Sequence, residues 1–282
     1  MKVITAIKDM RAEILKQKGF GKTIGFVPTM GFLHEGHLAL ISQARQENDI
    51  VVLSIFVNPL QFGPNEDFST YPRDFNRDRS LAEAEKVDYI FYPSVEEMYP
   101  YVPSVKVVVQ ERTDVLCGKS RPGHFDGVAT VLTKLFTIIM PTRAYFGKKD
   151  AQQVAVVDGL ISDFNFPIEL ISVDIIREAD GLAKSSRNVN LLPEERQQAT
   201  VLYRSLQSAK EAIDHGEQNP ANLICMINEM INRESNRQID YVEIFSYPQL
   251  KPLEKINGTI IIAIAVKFSN VRLIDNFIIQ ID

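Results

Sequence analysis

The feature that most restricts this chain's fold is a change of rhythm near residue 176. Before it, short β-branched runs alternate with runs of helical spacing. "KTIGFVPTM" is an apolar run ending in a Pro-Thr-Met-Gly turn, and "HLALISQARQEND" then places Leu38, Ile41, Ala44 and Arg45 on one helical face. The runs "DIVVLSIFVNP", "DYIFYP", "RAYFG" and "IELISVDIIRE" read as further strands. "RDRSLAEAEKV", "TVLTKLFTIIMP" and "DAQQVAVVDGLISDF" read as the helices between them. Such alternation argues for an α/β fold, a parallel sheet with helices on both faces.

After Ile176 the order changes. "PEERQQATVLYRSLQSAKEAIDHG" reads as one long helix opened by Pro193, with acidic residues in its first turn. "PANLICMINEMINRE" is a second helix, and "DYVEIFS", "GTIIIAIAVKF" and "VRLIDNFII" are three strands in succession. Helices followed by strands predict a smaller α+β domain with an antiparallel sheet. The expected division is 1–176 and 177–282, with the turn-rich "READGLAKSSRN" at the junction.

A charged fraction of 24% and a hydrophobic fraction of 45% are those of an ordinary globular protein. A net charge of −5 argues against a general nucleic-acid surface but allows a locally basic pocket for a small anion. Cys117 and Cys225 lie too far apart in sequence to suggest a disulfide framework or zinc knuckle. The first twenty residues lack the apolar core of a signal peptide, and no apolar run approaches the ~20 residues of a membrane span. The expectation is a cytoplasmic protein with neither a membrane nor a nucleic acid as partner.

"HEGH" holds two of the four histidines, His34 and His37. A zinc protease needs His-Glu-X-X-His, whereas here the spacing is three and Gly36 interrupts it, so no metal site is expected. Anion binding fits better: a strand ends at Thr29, a glycine-containing turn follows, and a helix opens around Gly36-His37. The first N–H groups of that helix lack intrahelical partners and face outward at the positive end of its dipole. Gly31 and Gly36 would let a phosphate come close to the backbone. An ordinary strand-turn-helix with incidental histidines remains open on these residues alone. Further polar loops add weight to the phosphate reading: "RPGHFDGV" with Arg121 and His124, "YFGKKDAQQV" with Lys148, Lys149, Asp150 and Gln153, and "LAKSSRN" with Lys184, Ser185, Ser186 and Arg187.

Together, "PTMGFLHEGH", "FVNPLQFGPNEDFSTYPR", "RPGHFDGV", "YFGKKDAQQ" and "KSSRN" resemble, in order and spacing, the pantothenate synthetase (pantoate–β-alanine ligase) family. The resemblance continues through "AVKFSNVRLIDN" near the C-terminus. It implies a Rossmann-like nucleotidyltransferase domain of the HIGH type, a smaller C-terminal domain and a homodimer. It also implies a two-step reaction. Pantoate and ATP, with Mg²⁺, give pantoyl-adenylate and pyrophosphate; the amine of β-alanine then gives pantothenate and AMP.

Carried onto this chain, the resemblance implies ATP contacts at Met30, Gly31, Phe32, Leu33, His34, Glu35, Gly36 and His37, with His37 as proton donor. It adds Gly147, Lys148, Lys149 and Asp150, then Ile176 against adenine, and Lys184, Ser185, Ser186 and Arg187 over the phosphates. His34, His37, Lys149 and Arg187 would be the catalytic group. Gln61 and Gln153 would bind pantoate, with Asn58, Tyr71, Arg121 and His124 around the same cleft. The "READGLAKSSRN" junction would act as hinge and lid edge.

Two positions depart from what many members carry, Phe32 and Lys184, and Asp78, where some relatives have a metal-associated acid, has Arg77 as its neighbour. No protein-bound metal is expected. Such chemistry needs preorganised donors for phosphate charge, not a side-chain nucleophile, because the substrate carboxylate attacks. Another nucleotidyltransferase of this fold would share the histidine motif without "NPLQFGPNEDF" or Gln153. A nucleotide sensor without turnover would need neither His37 nor two glutamines. The run "VVLSIFV" and the neighbouring helices are candidates for the dimer contact.

Overall fold

The computed structural model describes every residue except Pro64, Asn65, Asp67, Asn236 and Asp282. By their internal contacts the residues form two compact units. The first comprises Met1–Thr113, Cys117–Lys148 and Val156–Asp174; the second comprises Asp114–Leu116, Lys149–Ala155 and Ile175–Asp282. The second unit thus reaches back into sequence that a single cut at 176 assigns to the first. The reason is apolar packing: Leu116, Ala151 and Ala155 are buried with Phe245, Leu250, Ile261 and Ala263.

The first unit is a six-stranded parallel sheet flanked by helices, in the order β1-β4-β3-β2-β5-β6. Its strands are β1 (Lys2–Ile4), β2 (Ile24–Thr29), β3 (Ile50–Ile55), β4 (Tyr89–Phe91), β5 (Arg143–Gly147) and β6 (Glu169–Val173). The central strands read as nearly continuous apolar runs because both of their faces are covered. Val51, Val52 and Leu53 have no exposed surface, so "VVLSIFV" is sheet interior and not the dimer face suggested by its composition.

Helix α1 (Ile7–Gly19) packs on α6 (His124–Ile139), and α2 (Glu35–Glu47) packs on β2, β3, β5 and α3 (Phe75–Ala84). Two short helices, α4 (Val95–Met98) and α5 (Leu116–Ser120), punctuate an otherwise irregular stretch, and α7 (Ala151–Asp163) follows β5. From β2 the chain moves to β3 on one side, and β5 later pairs with β2 on the other, Gly25 opposite Arg143. This is a topological switch point, and ligands of open α/β sheets bind outside the strand carboxyl ends there. In this unit those ends lead into the Met30–His37 loop and Gly147–Lys148.

The second unit has α8 (Pro193–Gln198), α9 (Val201–Asp214) and α10 (Pro220–Ser235), with the antiparallel sheet β7 (Gln238–Ser246), β8 (Gly258–Lys267) and β9 (Arg272–Ile281). Leu202, Leu206, Leu223, Ile227 and Ile231 pack on Ile260, Ile262 and Ile264.

The single helix expected from Pro193 is two. At Ala199–Thr200 the ladder tightens, with Thr200 N–H and Leu202 N–H donating three residues back to Gln197 and Ala199. The Thr200 hydroxyl takes the Gln197 carbonyl at 2.8 Å, and Glu195 is tied elsewhere, accepting from Ser269 N–H at 2.9 Å and Ser269 Oγ at 2.6 Å. Those hydrogen bonds, with the Ser269 hydroxyl foremost, hold the Glu195 carboxyl down at about 2.

Candidate active site

The helix opened by "HEGH" begins at Glu35, with His34 as its N-cap in extended conformation. His34 Nδ1 accepts the Gly36 N–H at 3.1 Å, and His37 Nδ1 accepts the His34 N–H at 3.3 Å. The two imidazoles thus act as a reciprocal cap, a role usually filled by Ser or Thr with Glu three residues on. Their ring centroids lie 4.1 Å apart. Because each Nδ1 accepts, hydrogen-bond geometry assigns the ring proton to Nε2, which makes both rings donors through Nε2–H. Gly36 has a direct use: a Cβ there would come within 2.8 Å of His34 Cε1. Glu35 sits in the first turn, where the helix dipole favours an acid.

The loop before the helix is held by Asp78 of α3, which is only 1% exposed. Its Oδ2 accepts Phe32 N–H and its Oδ1 accepts Leu33 N–H, both at 2.7 Å. Phe32 has a φ of +53°, an uncommon backbone conformation for a large side chain. Its ring lies under the Arg77 guanidinium, 5.2 Å from centroid to Cζ. The departure at 32 is therefore in contact with Arg77, and Leu33 is fully buried in the core beside them. Both oxygens of Asp78 are committed to this backbone. Among the described residues no group of three His, Cys, Asp or Glu side chains is arranged to hold a metal ion.

Beside this loop lies a buried amide cluster. Asn58 Nδ2 donates to the Gly127 carbonyl at 3.1 Å and to Gln61 Oε1 at 3.3 Å, while Tyr99 Oη donates to Asn58 Oδ1 at 3.0 Å. Burial pushes the Tyr99 hydroxyl pKa upward, which keeps it a donor. Gln61 Nε2 lies 2.9 Å from Met30 Sδ, joining the cluster to the histidine loop.

Arg121 donates to Glu66 through Nε at 2.7 Å and Nη2 at 2.6 Å, and its Nη1 is 3.0 Å from His124 Nε2. Arginine is a donor only, so His124 Nε2 accepts and its Nδ1–H donates to the Gln61 carbonyl at 2.8 Å. His124 thus carries the opposite tautomer from His34 and His37. Tyr71 meets the Phe62 ring edge-on at 6.0 Å, and its carbonyl accepts from Arg73. Part of the "NPLQFGPNEDF" motif, Pro64, Asn65 and Asp67, lies outside the described residues. Met30 and Gly31 also wall a cavity of about 520 Å³ with Phe56, Phe68, Asp78 and Tyr92. At the end of β5, Gly147 leads to Lys148, whose Nζ pairs with Asp174 at 2.6 Å.

In the second unit, the Lys149 carbonyl accepts from Asn276 Nδ2 at 3.0 Å and Asp150 is exposed. Of the "QQ" pair, Gln152 is buried and donates to the Val115 carbonyl at 2.8 Å, whereas Gln153 is half-buried. Ile176 and Lys184 are joined by a backbone hydrogen bond of 2.8 Å, and Lys184 Nζ pairs with Glu178 at 3.0 Å. Ser185 caps a single 3₁₀ turn from Ser186 to Asn190 by accepting the Arg187 N–H, and Arg187 is exposed.

The sequence reading did not single out Asp78 as a loop clamp, Tyr99 or Glu66. Each acts through a partner at least 41 residues away, and only the unusual Phe32-Arg77 pair hinted at the clamp.

Comparison with known proteins finds one family along nearly the whole chain. A family model described as pantoate-beta-alanine ligase matches residues 2–278. A pantothenate synthetase of Geobacillus sp. (strain WCH70) is 64% identical over 281 residues, covering 100% of both chains. A pantothenate synthetase of Bacillus cytotoxicus is 60% identical over 281 residues, again covering 100% of both. The crystal structure of pantothenate synthetase from Thermus thermophilus superposes with a TM-score of 0.92 at 45% identity, covering 98% of this chain and 99% of that one. A pantoate-beta-alanine ligase from Francisella tularensis, complexed with beta-gamma ATP and beta-alanine, gives 0.78 at 35% identity over 99% and 97%. The chain belongs to the pantoate–β-alanine ligase family.

Proposed function

We propose that this chain condenses (R)-pantoate with β-alanine, using ATP with Mg²⁺ as the substrate complex and passing through pantoyl-adenylate. The observation that carries the reading is the pair of Nε2–H donors at the amino end of α2, at the switch point of the sheet and joined through Met30 to Gln61. In the first step the pantoate carboxylate attacks the α-phosphorus. A P–O bond forms to the acid, the bond to the β-phosphate breaks, and pyrophosphate leaves with growing negative charge. His34 and His37 donate to those oxygens as preorganised neutral donors, with the α2 dipole behind them.

In the first unit, the Gly147–Lys148 turn contributes to ATP binding and Gln61 orients pantoate, its backbone held by His124. The apolar walls of the cavity beside Met30 suit the branched carbons of pantoate. In the second unit, Lys149 and Arg187 supply positive charge to phosphates, Asp150 suits ribose hydroxyls, Gln153 suits pantoate, and Ser185 and Ser186 act as donors. In the second step the β-alanine amine attacks the acyl carbon; a C–N bond forms and the C–O bond to AMP breaks.

The protein acts in the cytoplasm as a homodimer. No helix among the described residues is long and apolar enough to cross a membrane. The test is pyrophosphate release from ATP, Mg²⁺ and D-pantoate, with and without β-alanine. Pantoate-dependent pyrophosphate, with AMP and pantothenate appearing only when β-alanine is added, is expected. ATP binding without pantoate-dependent pyrophosphate would sink the proposal.

A further inference from the structure

The run "VRLIDN" lies on β9, far in sequence from every residue assigned a role above, yet Asp275 and Asn276 are only 2% and 5% exposed. Adjacent strand residues face opposite sides of a sheet. Asp275 shares its side with Leu273 and Phe277, which pack with α9 and α10. Asn276 shares the other with Ile278, beside the buried Ala151 and Ala155. One dipeptide therefore reaches both faces of the sheet: Asp275 ends on Arg177, next to Ile176, and Asn276 ends on Lys149.

On the helix side, Arg177 Nη1 and Nη2 donate to the two oxygens of Asp275 at 2.7 and 2.9 Å, a bidentate pair. The same Nη1 donates to the Gly181 carbonyl at 2.9 Å, and the guanidinium lies 4.3 Å from the Tyr203 ring centroid. Arg177 thereby grips a hairpin in which Arg177 bridges Ala183 and Lys184 N–H returns to the Ile176 carbonyl at 2.8 Å. Gly181, at a φ of +90°, is closed over by Tyr203, whose ring leaves no space for a Cβ. The hairpin ends on Lys184–Arg187. The turn-rich junction is thus a clamped hairpin within its own unit. On the opposite side, Asn276 Nδ2 holds the Lys149 carbonyl at 3.0 Å, and Asn276 N–H donates to Asp275 Oδ1 at 2.8 Å, coupling the two grips.

We propose that Asp275 and Asn276 are positioning residues for ATP. Asp275 sets Lys184–Arg187 through Arg177, and Asn276 sets Lys149–Asp150 through the Lys149 carbonyl. The inference rests on the ligase reading above. Neither residue touches substrate; the strand fixes the spacing between two cationic segments before ATP arrives, and small misplacements of such groups are costly.

The test uses the full chain and follows pyrophosphate release while ATP, pantoate and β-alanine are varied in turn. Asn276→Asp is nearly isosteric but turns the donor into an acceptor facing the Lys149 carbonyl. It should raise KM for ATP about tenfold, with KM for pantoate within about twofold of wild type. Asp275→Asn leaves a half-buried guanidinium short of its charged partner and can fail to fold, so the double variant Arg177→Met with Asp275→Leu is measured beside it. That pair replaces the ions by apolar groups of similar size, a change that often preserves stability. With its melting temperature retained it should still show the selective rise in KM for ATP. An unchanged KM for ATP in a folded Asn276→Asp or double variant, with an active wild type, overturns the positioning role and leaves the ligase reading standing. A wild type without pantoate-dependent pyrophosphate overturns the ligase reading and the inference with it.

Discussion

His34 and His37 lie as a tilted ring pair with centroids 4.1 Å apart, and each returns its Nδ1 to a backbone N–H at the start of the same helix. Cap and proposed phosphate donor are thus the same side chains, and substitution can separate the two roles. His34→Asn should keep most of the cap, whereas His34→Ala loses about 1 kcal/mol of stability. Both should lower kcat/KM for adenylation by roughly 10²-fold, as His37→Ala should. Thermal melts beside pyrophosphate kinetics check this; an Asn variant with wild-type kinetics would reduce His34 to a cap.

Gly36→Ala offers a sign test. On an open helix the change stabilises by about 0.8–1.0 kcal/mol. Here the new Cβ meets His34 Cε1 at 2.8 Å and Nδ1 at 3.0 Å, so the ring must shift. A lower melting temperature with reduced kcat is expected, and a higher one would show that the ring yields freely.

Asp78→Asn keeps the size of the clamp but turns an amide N–H₂ toward Phe32 N–H or Leu33 N–H. Losing a hydrogen bond to a buried charged acceptor costs about 1.5–3 kcal/mol. With Phe32 held at positive φ by that bond, the loop should loosen. A rise in KM for ATP alongside a destabilisation of that order is the expected pair of results.

The Arg121–His124–Gln61 relay predicts a different selectivity. His124→Ala removes the donor to the Gln61 carbonyl and an acceptor for Arg121. KM for pantoate should rise about tenfold while KM for ATP stays within about twofold, read from initial rates at saturating partner substrates. An equal loss toward both substrates would mean that the relay only supports the fold.

Glu195 supplies a pH dependence. Its carboxyl is held at about 2 against an ordinary 4.5, through the Ser269 hydroxyl and N–H first and Leu192 N–H next. Between these values the unfolded chain binds a proton that the folded chain does not. The contribution is therefore fully present above the unfolded value and is lost as pH falls toward about 2. Melting temperature measured downward from about pH 5 should fall more steeply in wild type than in Glu195→Gln. Parallel slopes would remove the residue from the account.

Much of the architecture was legible because local patterns suffice for it. Buried parallel strands such as β3 read as nearly continuous apolar runs, and α9 and α10 read as amphipathic periods. The histidine turn was legible too, since Gly36, His37 and the preceding strand are neighbours in sequence. The first elements were not: β1 has only 3 residues, and α1 buries just Met10 and Ile14, too little for a clear period. Nor was the break at Ala199–Thr200, which accompanies the capture of Glu195 by Ser269 74 residues away. The grips on the site segments share that character. Asp78 reaches Leu33 across 45 residues and Asp275 reaches Arg177 across 98. The sequence by itself marked candidate residues for phosphate and the order of most strands and helices. The tertiary structure alone decided which way those residues are held, because a buried carboxylate or amide takes its partner from whatever backbone the fold brings within about 3 Å, and no local pattern records that choice.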